Sequence, residues 1–600
     1  MVGALRHRGP DSVGFCRAGE FGGGMSRLSI NDIAGGNQPL YGDRQNVVLF
    51  YNGEIYNYPE LRRKLEAKGH TFRTHSDGEV ICHLYEHYGE DLFEHLDGMF
   101  AAALWVADER KLILARDLPG EKPLYYSEPG PGEVVFASEI SALRRFPEID
   151  LTLNRQAVWD FPTFLWVPEP ATIFSAIKAL PRGHLLVVQA GATKLKAYQN
   201  KFNIQPLESL SDDFVVRETR RVVEEAVRSR LLSDVPIGSF LSGGLDSSIV
   251  ATIAARDLEK LDTFSIGFED LHDPYHGNAD ESVAAAQTAK LIGSKHHSIR
   301  VTADTFRGEL AQFCRHGDQP FAVSSGLGIL AVAHAARQVG LKVLLSGDGA
   351  DEAFGGYSWY SYLAGRDRDG SAAPQGVVSF QNFGVPIGAR LAAIDALPPQ
   401  AQAWAWHYYA HEDEKASLFA GDFQDGLMPS LRHFDTLGRR TAPVDFIDQD
   451  REFYFPNEML TKLDRMTMAY SVEGRAPFAA PAVLSHARKL QYRHMVAPDG
   501  TLKHALRRAF ADILPEEVVA RPKHGFNVPI DHWLKNGWSD LVDATFAPDS
   551  GLNRLGIISP NAGQVAKAML HDKQRLNGHS IFCMIMLNDW IERGFHGNHR

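Results

Sequence analysis

From Leu241 to Ser248 the chain reads LSGGLDSS, a bend holding two glycines, three serines and an aspartate between apolar shoulders. The residues before it, VPIGSFL (Val235–Leu241), have the composition of a strand, and a helix is expected from about Ser247. A strand, a glycine turn and a helix start together point bare backbone N–H groups at whatever fills the bend. Gly243 and Gly244 allow close backbone approach, and Ser242, Ser247 and Ser248 add hydroxyl donors. Phosphate is the natural guest. No Gly-Lys dipeptide occurs anywhere, so the P-loop signature is absent and γ-phosphoryl transfer of that kind is disfavoured. Asp246 would repel phosphate unless a magnesium ion lay between them. An N-capping aspartate after a glycine turn is the plainer alternative, and it explains only some of these residues.

Another strand, within KVLLSGDGADE (Lys342–Glu352), also ends in a glycine-rich turn that carries Ser346, Gly347, Asp348 and Asp351. Between the two turns lies the strand TFSIGFE (Thr263–Glu269) at crossover distance. Strands alternating with helices imply a parallel sheet covered on both faces, with ligands beyond the carboxyl ends of its strands. Ser242–Ser248 and Ser346–Glu352 are therefore expected to share one edge. An amphipathic helix (Phe214–Leu232) precedes this region, and from about Arg451 the pattern is largely helical.

The first third is different. NVVLFYNGEIYNY (Asn46–Tyr58), MFAAALWVAD (Met99–Asp108), KLILARD (Lys111–Asp117) and EVVFASE (Glu133–Glu139) are short apolar runs bounded by turn formers. A helix interrupts them, with Ser76 and Glu79 spaced as a capping box before Val80, Ile81, Leu84 and Tyr88. These patterns suggest an α+β sandwich. A polar, proline-containing stretch at 197–212 marks a boundary, giving expected domains 1–205 and 206–600.

Composition narrows the class. Sixty-two basic against 74 acidic residues give a net charge of −12, which disfavours a broad nucleic-acid-binding face. No uninterrupted apolar stretch is long enough for a bilayer, and the residues MVGALRHRGPD have no apolar core of the secretory kind. Cys16, Cys82, Cys314 and Cys583 are scattered without a CxxC pair, which suits a reducing cytoplasm. The expectation is a cytoplasmic protein with no membrane and no nucleic-acid partner.

SGGLDSS resembles the pyrophosphate loop of the ATP-pyrophosphatases, and its surroundings narrow the resemblance to the asparagine synthetase family. SGDGADEAFGGY (Ser346–Tyr357), KLDRMTMAYSVEGRAPF (Lys462–Phe478), TLKHALR (Thr501–Arg507) and RPKHGFNVPIDHWL (Arg521–Leu534) follow that family's order. So, in the first third, do HRGPDSVG (His7–Gly14), SRLSIND (Ser26–Asp32), NGEIYNY (Asn52–Tyr58), HSDGEV (His75–Val80) and KPLYY (Lys122–Tyr126). The resemblance runs nearly end to end. It implies an N-terminal-nucleophile-hydrolase-like αββα sandwich, then a parallel-sheet ATP-pyrophosphatase domain with a helical C-terminal region.

The resemblance further implies ATP and Mg2+, and conversion of aspartate to asparagine through a β-aspartyl-AMP with release of AMP and pyrophosphate. Leu241 and Ile266 would flank the adenosine, the SGGLDSS loop would hold the outer phosphates, and Ser346 and Gly347 would touch the nucleotide by backbone. Asp246 and Asp351 would hold the metal, helix capping being their bland alternative. Lys503 would offset charge on the α-phosphate, and Asp348 stands where the family has an acid tied to the intermediate. Arg27 would pair with the α-carboxylate of glutamine, Asp77 with its amino group, Asn52 with Gly53 would form an oxyanion hole, and Glu54 would also bind glutamine. A surface arginine, a helix-dipole acid and a hairpin turn are the respective alternatives. The partners expected are small-molecule substrates, and dimerisation is a family expectation.

Three departures stand out. The family's glutaminase opens Met-Cys-Gly, whereas Met1-Val2-Gly3 and the residues after it resemble the segment just before HRGPD. A start at an internal methionine and a true loss of the nucleophile both account for this, and the retained Arg27, Asn52, Gly53 and Asp77 favour the first. Cys16 has no α-amine and reads as a half-buried spectator, so these 600 residues are expected to make amide from free ammonia alone. Gln319 stands where the family often has an acid, and Ala479-Ala480 replace its usual Leu-Asp. The alternative is a relative that adenylates another carboxylate and amidates it or closes it on an internal amine, as β-lactam synthetases and lasso-peptide cyclases do.

Overall fold

The computed structural model describes residues 1–198, 206–207, 209–269, 281–357, 359–360, 409–437, 443–521, 528–572 and 577–594. The expected boundary at 205 lies outside these residues, as do 522–527 of the RPKHGFNVPIDHWL segment.

The N-terminal half is built on β1 (Ser12–Ala18), β2 (Phe21–Arg27), β3 (Leu40–Tyr41), β4 (Val47–Ile55), β5 (Gly98–Val106), β6 (Lys111–Arg116), β7 (Tyr125–Gly130), β8 (Glu133–Ala137), β9 (Ile177–Ala179), β10 (His184–Gln189) and β11 (Ala192–Ala197). Six strands form an antiparallel sheet in the order β11-β10-β6-β5-β4-β3. Strand alternation sorts β4 between two cores. Val47, Leu49 and Tyr51 meet Leu61 and Leu65 of helix Tyr58–Glu66 and Val80, Ile81 and Leu84 of helix Glu79–Tyr88. Val48 and Phe50 point the other way, against Phe21 of the β1–β2 hairpin and Tyr126 of the β8-β7-β9 sheet. All nine residues of β5 are buried, and its alanines at 101–103 let both layers approach. Beyond β7 and β8, Tyr125, Val135 and Ala137 pack under Ile140 and Leu143 of a short helix. Helix, sheet, sheet, helix is the sandwich the resemblance implied.

The Ser76–Glu79 capping box is not formed. The helix has Gly78 at its N-cap without a side-chain cap, and Glu79 reaches back into the preceding loop. Its two carboxylate oxygens accept the Arg73 and Thr74 backbone N–H groups, each at 2.8 Å. The carboxylate therefore organises a turn the spacing rule assigns to the helix itself.

In the C-terminal half, Ser211 caps helix Asp212–Ser229 by accepting the Phe214 N–H, two residues before the expected start. The helix leads into β12 (Ile237–Phe240), followed by β13 (Asp262–Phe268), β14 (Lys295–Val301), β15 (Val343–Leu345) and β16 (Glu473–Arg475). All pairings are parallel, in the order β14-β13-β12-β15-β16. The chain runs outward from β12 to β14, then returns to the other side of β12 at β15. That reversal opens a crevice beyond the ends of β12 and β15, where an open parallel sheet binds ligands. β16 sits in a stretch expected to be helical; three buried residues are too short to show a strand period. Among the described residues no helix is long and apolar enough to cross a membrane.

The halves share a buried ionic seam. Arg8 donates to Glu139 and Asp464, Lys122 lies 3.3 Å from Asp464, and Arg465 pairs with Glu139 and Asp318.

Candidate active site

Strand β12 ends in the glycine bend as expected. Leu241 donates its N–H to the Phe264 carbonyl at 2.8 Å, so the chain stays hydrogen-bonded to β13 until the turn begins. Gly243 then takes φ +79°, and a Cβ there would fall 2.8 Å from the Ala285 nitrogen, so only glycine serves both the turn and the packing. Ser242 and Ser247 hydroxyls lie 3.1 Å apart, and Ser247 Oγ also accepts the Ser242 N–H. Helix Leu245–Asp257 starts at Gly244 with no side chain capping it, leaving its first N–H groups directed at the bend. Ser248 Oγ is buried without a hydrogen-bond partner. The loop is held in shape by its own serine hydroxyls.

The second turn meets the first. Gly347 lies where a Cβ would approach the Ser247 nitrogen to 2.9 Å and Asp246 Cβ to 3.0 Å, so Ser242–Ser248 and Ser346–Glu352 share one edge as expected. Ser346 donates its N–H to the Arg475 carbonyl at 2.8 Å, and its hydroxyl donates to Asp348 Oδ2 at 2.7 Å. That bond folds Asp348 back over its own loop.

Lys503 closes the constellation. It occupies the left-handed backbone region at φ 55°, is 3% exposed, and sets Nζ 2.5 Å from Asp246 Oδ2 and 2.7 Å from Asp351 Oδ1. The surface-lysine alternative is thereby removed. Gly356 makes the reach possible, since a Cβ would sit 2.0 Å from Asp351 Oδ1 and 2.1 Å from Lys503 Cε. Asp246 Oδ1 is buried with no hydrogen bond of its own. The two carboxylates converge on the Lys503 ammonium, and the unsatisfied Asp246 oxygen is the one that could hold a magnesium ion.

Leu241 and Ile266 differ in what they can offer. The Leu241 side chain is fully buried with Leu245 and Ile249, so only its backbone can face a nucleotide, whereas Ile266 on β13 is partly exposed.

Several site residues carry no sequence signal beyond their neighbourhood. Glu352 is fully buried beside Asp351, which together push its carboxyl up to about 8, and it accepts the Tyr357 hydroxyl at 2.5 Å. Arg451 donates to the Glu352 and Ala353 carbonyls at 2.8 and 2.6 Å, fixing the helix that carries Asp351. Arg521 donates to the Gly243 carbonyl at 2.5 Å. A long cation tied to a backbone oxygen leaves no spacing pattern to read.

In the N-terminal half Arg27, Asn52, Gly53, Glu54 and Asp77 all line one cavity, with Met25, Gln38, Tyr51, Ser76, Arg8, Met468 and Glu473. Arg27 is held rather than free: its guanidinium donates to the Asn31, Asp32 and Ile33 carbonyls and to Asn37 Oδ1, at 2.8 to 3.2 Å. Asp77 accepts the Tyr51 hydroxyl at 2.5 Å and the Ile55 N–H at 2.7 Å, while burial raises its carboxyl above the ordinary value. Glu54 is raised more strongly, by burial and then by Asp77, and it accepts the Asn31 amide and pairs with Arg475. Asn52 Nδ2 is buried with no hydrogen-bond partner. Gly53 takes φ +145° with its α-carbon pressed to the Met99 carbonyl, where a Cβ would stand at 1.9 Å. Cys16 packs on β1 in the layer of Phe21 and Phe50, half-buried and outside the cavity lining.

β16 links the two sites. Glu473, at its start, lines the cavity, and the Arg475 carbonyl, at its end, receives Ser346. Gln319 has a packing role here, its side-chain oxygen accepting the Ile173 N–H at 3.0 Å, and Ala479 and Ala480 are buried.

Comparison with known proteins agrees with this geometry. Residues 218–592 match the family model described as asparagine synthase, and residues 1–199 match the glutamine amidotransferase domain. Asparagine synthetase [glutamine-hydrolyzing] 1 of Bacillus subtilis (strain 168) is 34% identical over 555 residues, covering 89% of this chain and 84% of the relative. A putative asparagine synthetase [glutamine-hydrolyzing] of Mycobacterium bovis is 35% identical over 571 residues, covering 90% and 85%. Asparagine synthetase [glutamine-hydrolyzing] 3 of Bacillus subtilis is 29% identical over 557 residues, covering 89% and 86%. With the family model spanning more than half of its length, the chain belongs to the asparagine synthase family.

Proposed function

We propose that this chain is an ATP-dependent amide ligase that converts aspartate to asparagine, residues 206–600 making the amide and residues 1–205 forming the glutamine-type half. A carboxylate cannot lose oxide, so its oxygen must first be attached to a good leaving group. An aspartate β-carboxylate oxygen attacks the α-phosphorus of ATP, and the bond between the α- and β-phosphates breaks to release pyrophosphate. Ammonia then adds to the acyl carbon, AMP departs with the bonding pair, and the nitrogen's extra proton passes to solvent.

The residues fit these steps. The N–H groups after Gly244 and the hydroxyls of Ser242, Ser247 and Ser248 suit the two departing phosphates, which are the ones a loop of this shape should grip. Magnesium bound by Asp246 and Asp351 would neutralise the phosphates beside those carboxylates. Lys503 supplies a fixed charge for the α-phosphoryl oxygens as they become more negative. Asp348, held by Ser346, suits a role beside the acyl group as it forms. In the other half, the unpartnered Asn52 amide suits a carbonyl oxygen, and Glu54 and Asp77 suit an ammonium group.

The observation that carries this reading is Lys503 Nζ set between Asp246 and Asp351 at the reversal of a parallel sheet. The purified chain with ATP, aspartate and ammonium chloride should release pyrophosphate and form asparagine in equal amounts. No aspartate-dependent pyrophosphate release sinks the proposal. Turnover of a different, amine-bearing acid while aspartate stays inert would replace it by the cyclising or alternative-acceptor reading.

A further inference from the structure

On the outer layer of the sandwich, four side chains from three segments converge, none of them in the cavity lining. Asp43 comes from the turn after β3, His70 from the loop after helix Tyr58–Glu66, and His83 and Glu86 from one face of helix Glu79–Tyr88. One ligand atom from each lies within 4.8 Å of the others. His70 Nδ1 is 2.9 Å from Asp43 Oδ2 and 3.6 Å from Glu86 Oε2, while His83 Nδ1 is 3.7 and 3.5 Å from the same two oxygens. A tetrahedral ion with bonds of about 2.0–2.1 Å holds neighbouring ligand atoms about 3.3–3.4 Å apart. The four measured edges bracket that length.

An independent observation marks this cluster as a ligand site. His83 is completely buried, yet neither ring nitrogen makes a hydrogen bond, and its Nδ1 faces the other three groups. Burying an unsatisfied imidazole costs free energy that binding a cation through Nδ1 would return. Nε2 lies 3.5 Å from Glu79 Oε1, and that carboxylate is fixed in place by the Arg73 and Thr74 N–H groups, each at 2.8 Å. Carboxylate, imidazole and ion in line is the arrangement by which a neighbouring group orients a metal-ligating histidine. Glu86 Oε1 is likewise buried without a hydrogen bond, and a Cβ at Gly42 would strike it, so the turn leaves room for that carboxylate.

From this juxtaposition we propose that Asp43, His70, His83 and Glu86 bind one divalent transition ion of the zinc class, in a closed structural site. Two imidazole nitrogens and two carboxylate oxygens suit Zn2+ better than Mg2+ or Ca2+, which prefer all-oxygen shells. With four protein ligands the ion keeps no open position for chemistry, so its role is to clamp segments. The helix it fixes is the one entered through Ser76 and Asp77, which line the cavity.

The test uses the full chain, stripped with a chelator and titrated with Zn2+ and separately with Co2+. One tight equivalent per chain is expected, with the visible bands of four-coordinate Co2+ and a higher melting temperature for the zinc form. His70→Ala and Asp43→Asn, on partly exposed residues of two different segments, should each weaken binding at least 10-fold. Glu79→Gln, which touches no ion, should weaken it by about 10- to 100-fold. Absence of a stoichiometric ion, or binding unchanged in both His70→Ala and Asp43→Asn, overturns the proposal.

Discussion

Arg8 and Asp464 stand 456 residues apart in sequence and 2.9 Å apart in the fold, one from each half of the chain. Both are buried, and Arg8 also reaches Glu139. Removing Arg8 leaves Asp464 to Lys122 and Glu139 to Arg465, stripping one cation from a buried cluster at a cost of up to about 3–5 kcal/mol. Arg8→Ala should therefore lower the melting temperature sharply. The double variant with Asp464→Asn should lose less than the two single losses added together. Strict additivity in calorimetry would show the pair to be uncoupled.

Lys503 lies between Asp246 and Asp351 and is walled in by Gly356. Lys503→Ala should cut the synthetic kcat by about 10²–10³, the scale of a lost oxyanion donor. Lys503→Arg should not restore it, because a planar fork needs width that the backbone at Gly356 denies. Steady-state pyrophosphate release with aspartate and ammonia checks both. Full activity in the arginine variant would mean that only charge, not placement, counts at this position.

The large features of this fold were legible because they rest on local rules. Val48 and Phe50 against Val47 and Leu49 alternate as a strand must, and the SGGLDSS bend announces its turn by residue type alone. What escaped the sequence was long-range or short. β16 has three residues, and its partner β15 is more than a hundred residues away. Glu79 looked like a helix cap because spacing cannot say whether a carboxylate reaches forward or back. Glu352, Arg451 and Arg521 become site residues only when distant segments are brought against the crevice.

Gly347 is required by space rather than by turn geometry, since a Cβ there would meet the Ser247 nitrogen at 2.9 Å. Gly347→Ala should push the two loops apart at a cost of about 1–3 kcal/mol, raising the KM for ATP by about 10- to 100-fold. Gly308, inside helix Ala303–His316, has nothing within 4 Å of its Cβ position. Gly308→Ala should leave KM unchanged and add about 0.5–1 kcal/mol of stability. Equal effects of the two substitutions on KM would refute the crowding argument.

His486 joins two helices of the synthetase half, its Nε2 lying 2.8 Å from Thr219 Oγ1. Burial lowers its pKa to about 4, against an ordinary value of 6.5. His316, also mostly buried and tilted against the His7 ring with centroids 4.6 Å apart, is lowered to about 3 by burial and then by His7. Below pH 6.5 the unfolded chain therefore binds protons that the folded chain refuses, and stability falls as the medium is acidified. The contribution is fully present above pH 6.5 and is lost progressively toward pH 4 for His486 and toward pH 3 for His316. His486→Gln keeps a hydrogen-bonding side chain but cannot titrate. Its melting temperature should fall less steeply between pH 6.5 and 4 than that of the parent, and parallel slopes would show that His486 accepts its proton without unfolding the helix pair.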